Sequence, residues 1–321
     1  MKISVIGCGR WGSFIAWYLD RTGHEVTLYG RKESHHMRQF QETRENGLLR
    51  LADSTRLETE LPRALASEVL VISVNSQGLR ALLREINGAA GSDPSPKTVI
   101  LCMKGLEAET GKRLTEILEE ELAVPHQTAV WLGPGHVQEF YAGVPNCMVI
   151  DSGDEKLKEK LVDSFSSDLI RFYYGRDLIG NEIGAAAKNV IGIAAGMLDG
   201  LGISSLKGAL MSRGTREVAR LIKALGGNEL SAYGLCHLGD YEATVFSPYS
   251  HNRMFGETLV QGKPYSELAE GAFAVKGILL LAEKSYCSLP ICTAVYDVLY
   301  GGQDAKKTLD KLFSRSLKNE F

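Results

Sequence analysis

The chain opens on Lys2-Ile-Ser-Val-Ile6, an apolar run of strand character. It passes without a linker into Gly7-Cys8-Gly9-Arg10-Trp11-Gly12 and then into a helical pattern. A strand that ends in glycines at these spacings and hands straight over to a helix leaves few folds open. Gly7 admits a tight turn, Gly9 lets a ligand approach the backbone, and Gly12 lets the helix pack closely on the strand. The free amides and positive dipole end of the helix then point past the strand end, where they suit a pyrophosphate. A second strand at Glu25–Tyr29 lies at the right distance, so the segment predicts a dinucleotide pocket and not a plain glycine turn.

After that second strand stands Gly30-Arg31-Lys32, where an Asp or Glu would take the ribose 2′-hydroxyl of NAD. Two cations there suit a 2′-phosphate, so NADP(H) is the preferred cofactor in this reading. Glu33 next to them keeps NAD(H) open.

Apolar runs and helical periodicities alternate up to about Tyr174. Strands are expected at 2–6, 25–29, 69–73, 98–102, 129–132 and 146–150, with helices such as 77–86 and 108–122 between them. This predicts an α/β fold, an N-terminal Rossmann-type doubly wound parallel sheet followed by an all-α C-terminal domain, because helical patterns dominate beyond Gly175. Residues 1–177 are read as the dinucleotide-binding domain and 178–321 as the helical substrate-binding and catalytic domain. The stretch 91–97 reads as a surface loop. In an open α/β sheet ligands sit outside the carboxyl ends of the strands, so the active site is expected in the cleft between sheet and helical domain.

A hydrophobic content of 44% and a net charge of -3 are those of an ordinary globular protein. No basic run and no apolar stretch of membrane-spanning length occurs, which speaks against nucleic acid and membrane insertion. The first strand starts at residue 2, so no signal peptide is expected and the cytoplasm is the expected compartment. The six cysteines (8, 102, 147, 236, 287 and 292) form no CxxC pair and read as small buried hydrophobes, with no disulfide and no metal.

Three places put a polar residue where the local pattern would take an apolar one. Lys104 follows the strand at 98–102, at the edge where a cofactor must lie. Lys188 is the cation of a helix otherwise built from Gly, Ala, Ile and Val, and Gly184, Gly192 and Gly196 share its stripe at four-residue spacing. Glycines cost a helix roughly 1 kcal/mol each relative to alanine, so three on one face imply a close approach of backbone or ligand there. Burial would lower the lysine pKa toward the range of an acid/base catalyst. The third place is Gly239-Asp240, followed by Ser250-His251-Asn252-Arg253 at a probable helix start, a polar cluster suited to a phosphate or polyol.

With these features the chain resembles the bacterial-type NAD(P)-dependent glycerol-3-phosphate dehydrogenases along nearly its whole length. The likeness is carried by Gly7 to Gly12, Val74-Asn-Ser-Gln77, Met103-Lys104-Gly105-Leu106-Glu107, Gly133-Pro134 and Glu182 through Asp199 with Lys188-Asn189. Arg213-Gly214, Gly239-Asp240, Asn252-Arg253, Glu270-Gly271 and Leu289-Pro290 extend it. The resemblance implies reversible reduction of dihydroxyacetone phosphate to sn-glycerol 3-phosphate, feeding phospholipid synthesis, by a homodimer whose other partner is the phosphorylated triose or polyol. It also implies that Lys188 is the general acid/base, with Lys104 and Asp240 beside it in the catalytic group. Substrate would be held by Lys104, Gly133, Gly135, Lys188, Asn189, Asp240, Ser250, His251 and Asn252. Cofactor would be held by Gly7, Gly9, Arg10, Trp11, Gly12, Arg31, Lys104, Val137, His251, Leu268 and Glu270.

The departures are informative. His251 stands where the family carries an arginine, replacing a bidentate fork by an imidazole that is only partly charged near pH 7. Leu132, Val137 and Gln138 also depart from the usual residues, as does Tyr241 to Val245 after Asp240. In the mechanism that follows, hydride reaches the substrate carbonyl, Lys188 delivers the proton to its oxygen, and Lys104 and Asn189 orient or polarise the site. Two alternatives stand beside this one: a related two-domain reductase of a 2-oxo acid, of the ketopantoate reductase kind, and a non-catalytic NADP(H)-binding sensor.

Overall fold

At the centre of the sheet in the computed structural model, β1 (Lys2–Ile6) lies between β2 (Glu25–Tyr29) and β4 (Val69–Ile72). Ile3 is in register with Val26 on one side and Val69 on the other. Residues 3–6 and all of β4 are buried, as strands covered on both faces must be. The buried Ser4 is satisfied, its hydroxyl donating to the Ala64 carbonyl at 2.7 Å. The structure describes residues 1–91 and 95–314.

The described residues form one eight-stranded sheet in the order β3-β2-β1-β4-β5-β6-β7-β8, completed by β3 (Arg56–Glu58), β5 (Lys97–Leu101), β6 (His126–Leu132), β7 (Asn146–Asp151) and β8 (Ile170–Tyr174). Seven helices go with it: α1 (Arg10–Arg21), α2 (His35–Thr43), α3 (Leu61–Ala64), α4 (Leu79–Ala89), α5 (Leu114–Glu121), α6 (Val137–Tyr141) and α7 (Glu155–Phe165). The strand order reverses between β1 and β4, which is where an open sheet of this kind leaves a crevice for a ligand.

The sheet differs from the sequence reading in three respects. The strands β3 and β8, absent from that reading, are its two edges. A three-residue strand and one whose residues alternate between buried and exposed carry no continuous apolar run. The pairing of β6 with β7 is antiparallel, not parallel. The link between them holds only the five-residue α6, about 7.5 Å long, too short to return the chain along a seven-residue strand of roughly 23 Å. Finally, the helix expected at 108–122 starts only at Leu114. Gly111 adopts a φ of +76°, and the Arg113 amide donates to the Glu116 carboxylate in a capping box. Of the loop read at 91–97, residues 92–94 lie outside the described residues, and Lys97 is the first residue of β5.

By contacts the chain divides into one unit of Met1–Lys104 with Arg113–Leu178 and a second of Gly105–Lys112 with Ile179–Phe321. The stretch 105–112 thus groups with the second unit, although the sequence reading counted it in the first domain. Leu106 is buried in the same apolar cluster as Ile183 and Ala274. The helices of the second unit are α8 (Leu178–Gly200), α9 (Lys207–Ala224), α10 (His251–Val260), α11 (Glu270–Lys284), α12 (Pro290–Leu299) and α13 (Ala305–Phe313). Among the described residues no helix is long and apolar enough to cross a membrane.

The helix α8 is buried on nearly every side, which explains its composition of Gly, Ala, Ile and Val. Its glycine stripe is occupied by protein. A Cβ on Gly192 would lie 2.7 Å from the Thr244 methyl, one on Gly196 would lie 1.9 Å from the Arg253 carbonyl oxygen, and one on Gly184 would lie 3.1 Å from the His237 Cβ. Gly256 of α10 answers from the other side, its own Cβ position 2.1 Å from the Ile193 carbonyl oxygen. The stripe is therefore where neighbouring segments press on α8, by backbone at Gly196 and by side chain at Gly184 and Gly192, and Lys188 lies within that seam.

Candidate functional site

In the first unit the polar groups gather at the carboxyl ends of the strands. Gly7 leaves β1 with a φ of +117°, a conformation that favours glycine, and an added Cβ would meet the Ser73 carbonyl after β4. At Gly12 a Cβ would lie 1.9 Å from the Gly7 carbonyl oxygen, so this glycine sets the packing of α1 on its own strand. Gly9 differs: nothing lies within 4 Å of its Cβ position, and as N-cap of α1 it places no side-chain cap on the first-turn amides. The Trp11 indole Nε1 is buried and has no hydrogen-bond partner among the described residues. Open space over Gly9, uncapped amides and an unsatisfied donor fit a dinucleotide lying across this turn.

Beside it, the Lys104 ammonium donates to the Gly133 carbonyl at 2.5 Å and stands 5.8 Å from the centroid of the Trp11 ring. Gly133 and Gly135 both have positive φ, +125° and +140°, and they turn the chain after β6 toward Val137 at the start of α6. Arg10 donates to the Gln138 side chain at 3.4 Å. The segments after β1, β5 and β6 thus bring together Gly7, Gly9, Arg10, Trp11, Gly12, Lys104, Gly133, Gly135 and Val137. Arg31 instead pairs with Glu85 of α4 at 2.7 Å, and both side chains are about half exposed. Cys8, between the two glycines, is buried, and burial pushes its thiol pKa up.

In the second unit Lys188 is 7% exposed, its Nζ 3.2 Å from Asp240 Oδ2 and 2.8 Å from the Thr244 hydroxyl. Thr244 in turn donates to the Asp240 carbonyl at 2.7 Å, so its oxygen is free to accept from the ammonium. Asp240 ends a 3₁₀ turn (Leu238–Asp240), and Thr244 lies in the π-helical turn Glu242–Phe246 directly after it. Widened turns of this kind recur at functional sites. A buried cation needs such a partner, because removing one member of a buried pair costs on the order of 3–5 kcal/mol.

Beneath this pair runs a neutral chain of hydrogen bonds. His237 lies 2.9 Å from the Gly184 carbonyl through Nδ1 and 2.7 Å from the Tyr241 hydroxyl through Nε2. The carbonyl can only accept, so Nδ1 carries the proton and the Tyr241 hydroxyl donates to Nε2. Burial pushes the His237 pKa down to about 4 and raises that of Tyr241.

Asn252 joins three helices. Its amide nitrogen donates to Asn189 Oδ1 at 3.0 Å, and its oxygen accepts from the Gly271 amide at 2.9 Å. Ser250 is the N-cap of α10, accepting from the Arg253 amide at 3.3 Å, and His251 is the first residue of that helix. Glu270 opens α11, whereas Leu268 before it is 45% exposed. Arg253, grouped by the sequence reading with a phosphate-binding cluster, is turned elsewhere. Its guanidinium pairs with Asp199 at 2.9 Å and Glu257 at 2.8 Å, and Asp199 also holds Lys207 at 2.6 Å.

Thr244, His237, Tyr241 and Tyr265 are absent from the sequence-derived site. The four-residue step from Asp240 to Thr244, one helical turn, was a usable signal. His237 and Tyr241 stand at the same four-residue step, but the bond from His237 to the Gly184 carbonyl, and that of Tyr265 to His251, appear only in the folded chain. A separate cavity of about 710 Å³ in the second unit, lined by residues such as Met197, Leu210 and Val298, includes neither Lys188 nor Asp240. The Lys188–Asp240 pair thus lies in the seam and not in that hollow.

Comparison with known proteins accords with this arrangement. Residues 2–158 match the family model described as NAD-dependent glycerol-3-phosphate dehydrogenase N-terminus, and residues 177–310 match that described as its C-terminus. A glycerol-3-phosphate dehydrogenase [NAD(P)+] of Chlorobium phaeobacteroides is 33% identical over 336 residues, covering 100% of this chain and 99% of the relative. One of Fusobacterium nucleatum is 34% identical over 335 residues with the same coverage. The crystal structure of the Coxiella burnetii glycerol-3-phosphate dehydrogenase superposes with a TM-score of 0.89 at 26% identity, covering 98% of this chain and 99% of that one. With both halves matched and relatives a third identical end to end, the chain belongs to the NAD-dependent glycerol-3-phosphate dehydrogenase family.

Proposed function

We propose that this protein reduces dihydroxyacetone phosphate reversibly to sn-glycerol 3-phosphate, with NADPH as preferred cofactor and NADH as the lesser one, and that it works in the cytoplasm as a homodimer. The observation that carries the chemistry is the buried Lys188, held at 3.2 Å from Asp240 and 2.8 Å from Thr244. Bound at the Gly9 turn, the reduced nicotinamide would supply the hydride. As the carbonyl oxygen gains charge, the Lys188 ammonium delivers its proton there, and in the reverse direction the neutral amine takes it back. Asp240 and Thr244 orient the ammonium. Buried as they are, they act at a dielectric below that of water, where their attraction for a charged lysine is strengthened. Asn189, locked by Asn252, presents a fixed amide beside Lys188.

Preference for NADPH is supported by Arg31 and Lys32 at the end of β2. The family match over both halves of the chain favours this activity over a 2-oxo acid reductase. A non-catalytic sensor is disfavoured because it would need only the nucleotide turn. The test is loss of absorbance at the nicotinamide band with NADPH and dihydroxyacetone phosphate. Lys188→Ala should lower kcat by about 10²–10⁴ while cofactor binding stays nearly intact. A near-normal kcat in that variant would refute the assigned chemistry.

A further inference from the structure

We propose that His237 is a positioning residue of the reaction, fixing the segment that carries Asp240 and Thr244 against the turn of α8 that carries Lys188. This rests on the activity proposed above and deepens it. The segment 237–244 touches α8 at two points. Asp240 and Thr244 hold the Lys188 Nζ at 3.2 and 2.8 Å, and the His237 ring meets the Gly184 carbonyl at 2.9 Å. Gly184 lies one turn before Lys188, and in an α-helix its carbonyl also takes the backbone N–H of Lys188. The ring thus bonds to the same carbonyl as the backbone of the lysine. A glycine at 184 is what lets it in, since a Cβ there would stand 3.1 Å from the His237 Cβ.

The ring is held from its far side as well. Tyr241 donates to Nε2 at 2.7 Å, and the two rings meet edge to face with centroids 4.9 Å apart. Backbone bonds stiffen the same segment: the Asp240 amide donates to the His237 carbonyl at 3.0 Å, and the Thr244 amide to the Tyr241 carbonyl at 3.0 Å. Displacing the ring would therefore carry the carboxylate and the hydroxyl with it. Its neutrality matters too, because Asp240 and Lys188 both act on the ring, in opposite senses. A charged imidazole would draw on the carboxylate that orients the ammonium, whereas a neutral one leaves it to Lys188. His237 acts through Asp240 and Thr244, and not on the substrate.

Two amides separate the ring nitrogens. Asparagine places its N–H near Nδ1 and keeps a donor for the Gly184 carbonyl, whereas glutamine reaches the Nε2 position and withdraws that donor. With NADPH and dihydroxyacetone phosphate, His237→Asn should keep kcat within about threefold of the parent. His237→Gln should lower kcat on the order of ten- to a hundredfold, the range for a misplaced catalytic group, with KM and NADPH affinity little changed. Tyr241→Phe, which removes a single oxygen, should lower kcat about threefold in the parent and leave His237→Asn unmoved, where no ring remains to steady. In nitrogen-15 spectra the ammonium signal of Lys188, assigned by its absence from Lys188→Ala, should hold its position in His237→Asn and move in His237→Gln.

The proposal is overturned if asparagine and glutamine impair kcat equally, or if glutamine keeps the parent kcat or leaves the Lys188 signal unmoved. A fall of kcat in step with cofactor affinity would overturn it too, marking His237 as merely structural. Should the glutamine variant not fold, an unchanged kcat in Tyr241→Phe or a lost one in His237→Asn overturns it. Failure of the parent enzyme to turn over dihydroxyacetone phosphate would instead remove the activity reading, and the Lys188 signal would still score the positioning.

Discussion

Two glycines three residues apart do opposite work. Nothing approaches the Cβ position of Gly9, whereas that of Gly12 lies 1.9 Å from a carbonyl oxygen. Gly9→Ala should leave stability within about 0.5 kcal/mol yet weaken NADPH binding, because the methyl enters space that the pyrophosphate needs. Gly12→Ala should cost about 1–3 kcal/mol by forcing α1 off its strand. Urea unfolding and a cofactor titration on both variants measure the contrast, and equal destabilisation of the two would contradict it. Arg31 permits a second prediction at this scale. Because it pairs with Glu85 at 2.7 Å, a 2′-phosphate bound as proposed would share the guanidinium with a carboxylate. Arg31→Ala should lower kcat/KM for NADPH roughly tenfold or more and barely affect NADH. Glu85→Gln should raise the NADPH-to-NADH ratio by up to about fivefold, the range of an exposed ion pair. An equal drop for both cofactors in Arg31→Ala would discard the 2′-phosphate assignment.

Among the elements, α8 carries the most consequence, because its glycine stripe is what allows a polar pair to be buried against it. Replacing Gly by Ala inside a helix ordinarily stabilises it by up to about 1 kcal/mol. Gly196→Ala should do the reverse and cost about 1–3 kcal/mol, since its methyl would fall 1.9 Å from the Arg253 carbonyl oxygen across the seam with α10. Gly208→Ala in the first turn of α9, where nothing lies within 4 Å, is the matched control and should be neutral or slightly stabilising. Thermal melts of the two variants decide the matter. A Gly196→Ala protein as stable as the parent would mean that the seam is looser than its atoms indicate.

For the molecule as a whole, His237 ties folding to pH. Its folded pKa of about 4 lies below the value of about 6.5 expected in an unfolded chain, chiefly because burial penalises the charged ring. Between those values the unfolded chain takes up a proton that the folded protein refuses. Stability contributed by the neutral ring is intact above pH 6.5 and declines as the pH falls toward 4, by a total on the order of 3 kcal/mol. Urea unfolding at pH 7, 5.5 and 4.5 should show this slope, and His237→Asn should flatten it. Parallel slopes in parent and variant would place the acid sensitivity elsewhere.

What could be read without coordinates is what local physics writes into a sequence. The glycine turn after β1, the central buried strands, the helical second half and the cation of α8 were all legible. Each is declared by spacing, by an unbroken apolar run or by a charge out of place. Position alone already pointed Lys188 to acid/base work and Lys104 to the cofactor edge, and family likeness then added Asp240 to that group. The tertiary structure decided the rest. The edge strands β3 and β8 gain their form from one neighbour, not from a strong pattern of their own. The reversal at β7 follows from the length of a connection, and 105–112 joins the second unit because Leu106 finds its apolar partners there. Thr244 on Lys188, the His237–Tyr241 bond under Asp240, and Tyr265 on His251 are pairings across turns and helices. Hydrogen bonds of that kind depend on where the backbone carries two side chains, and only the packed chain settles it.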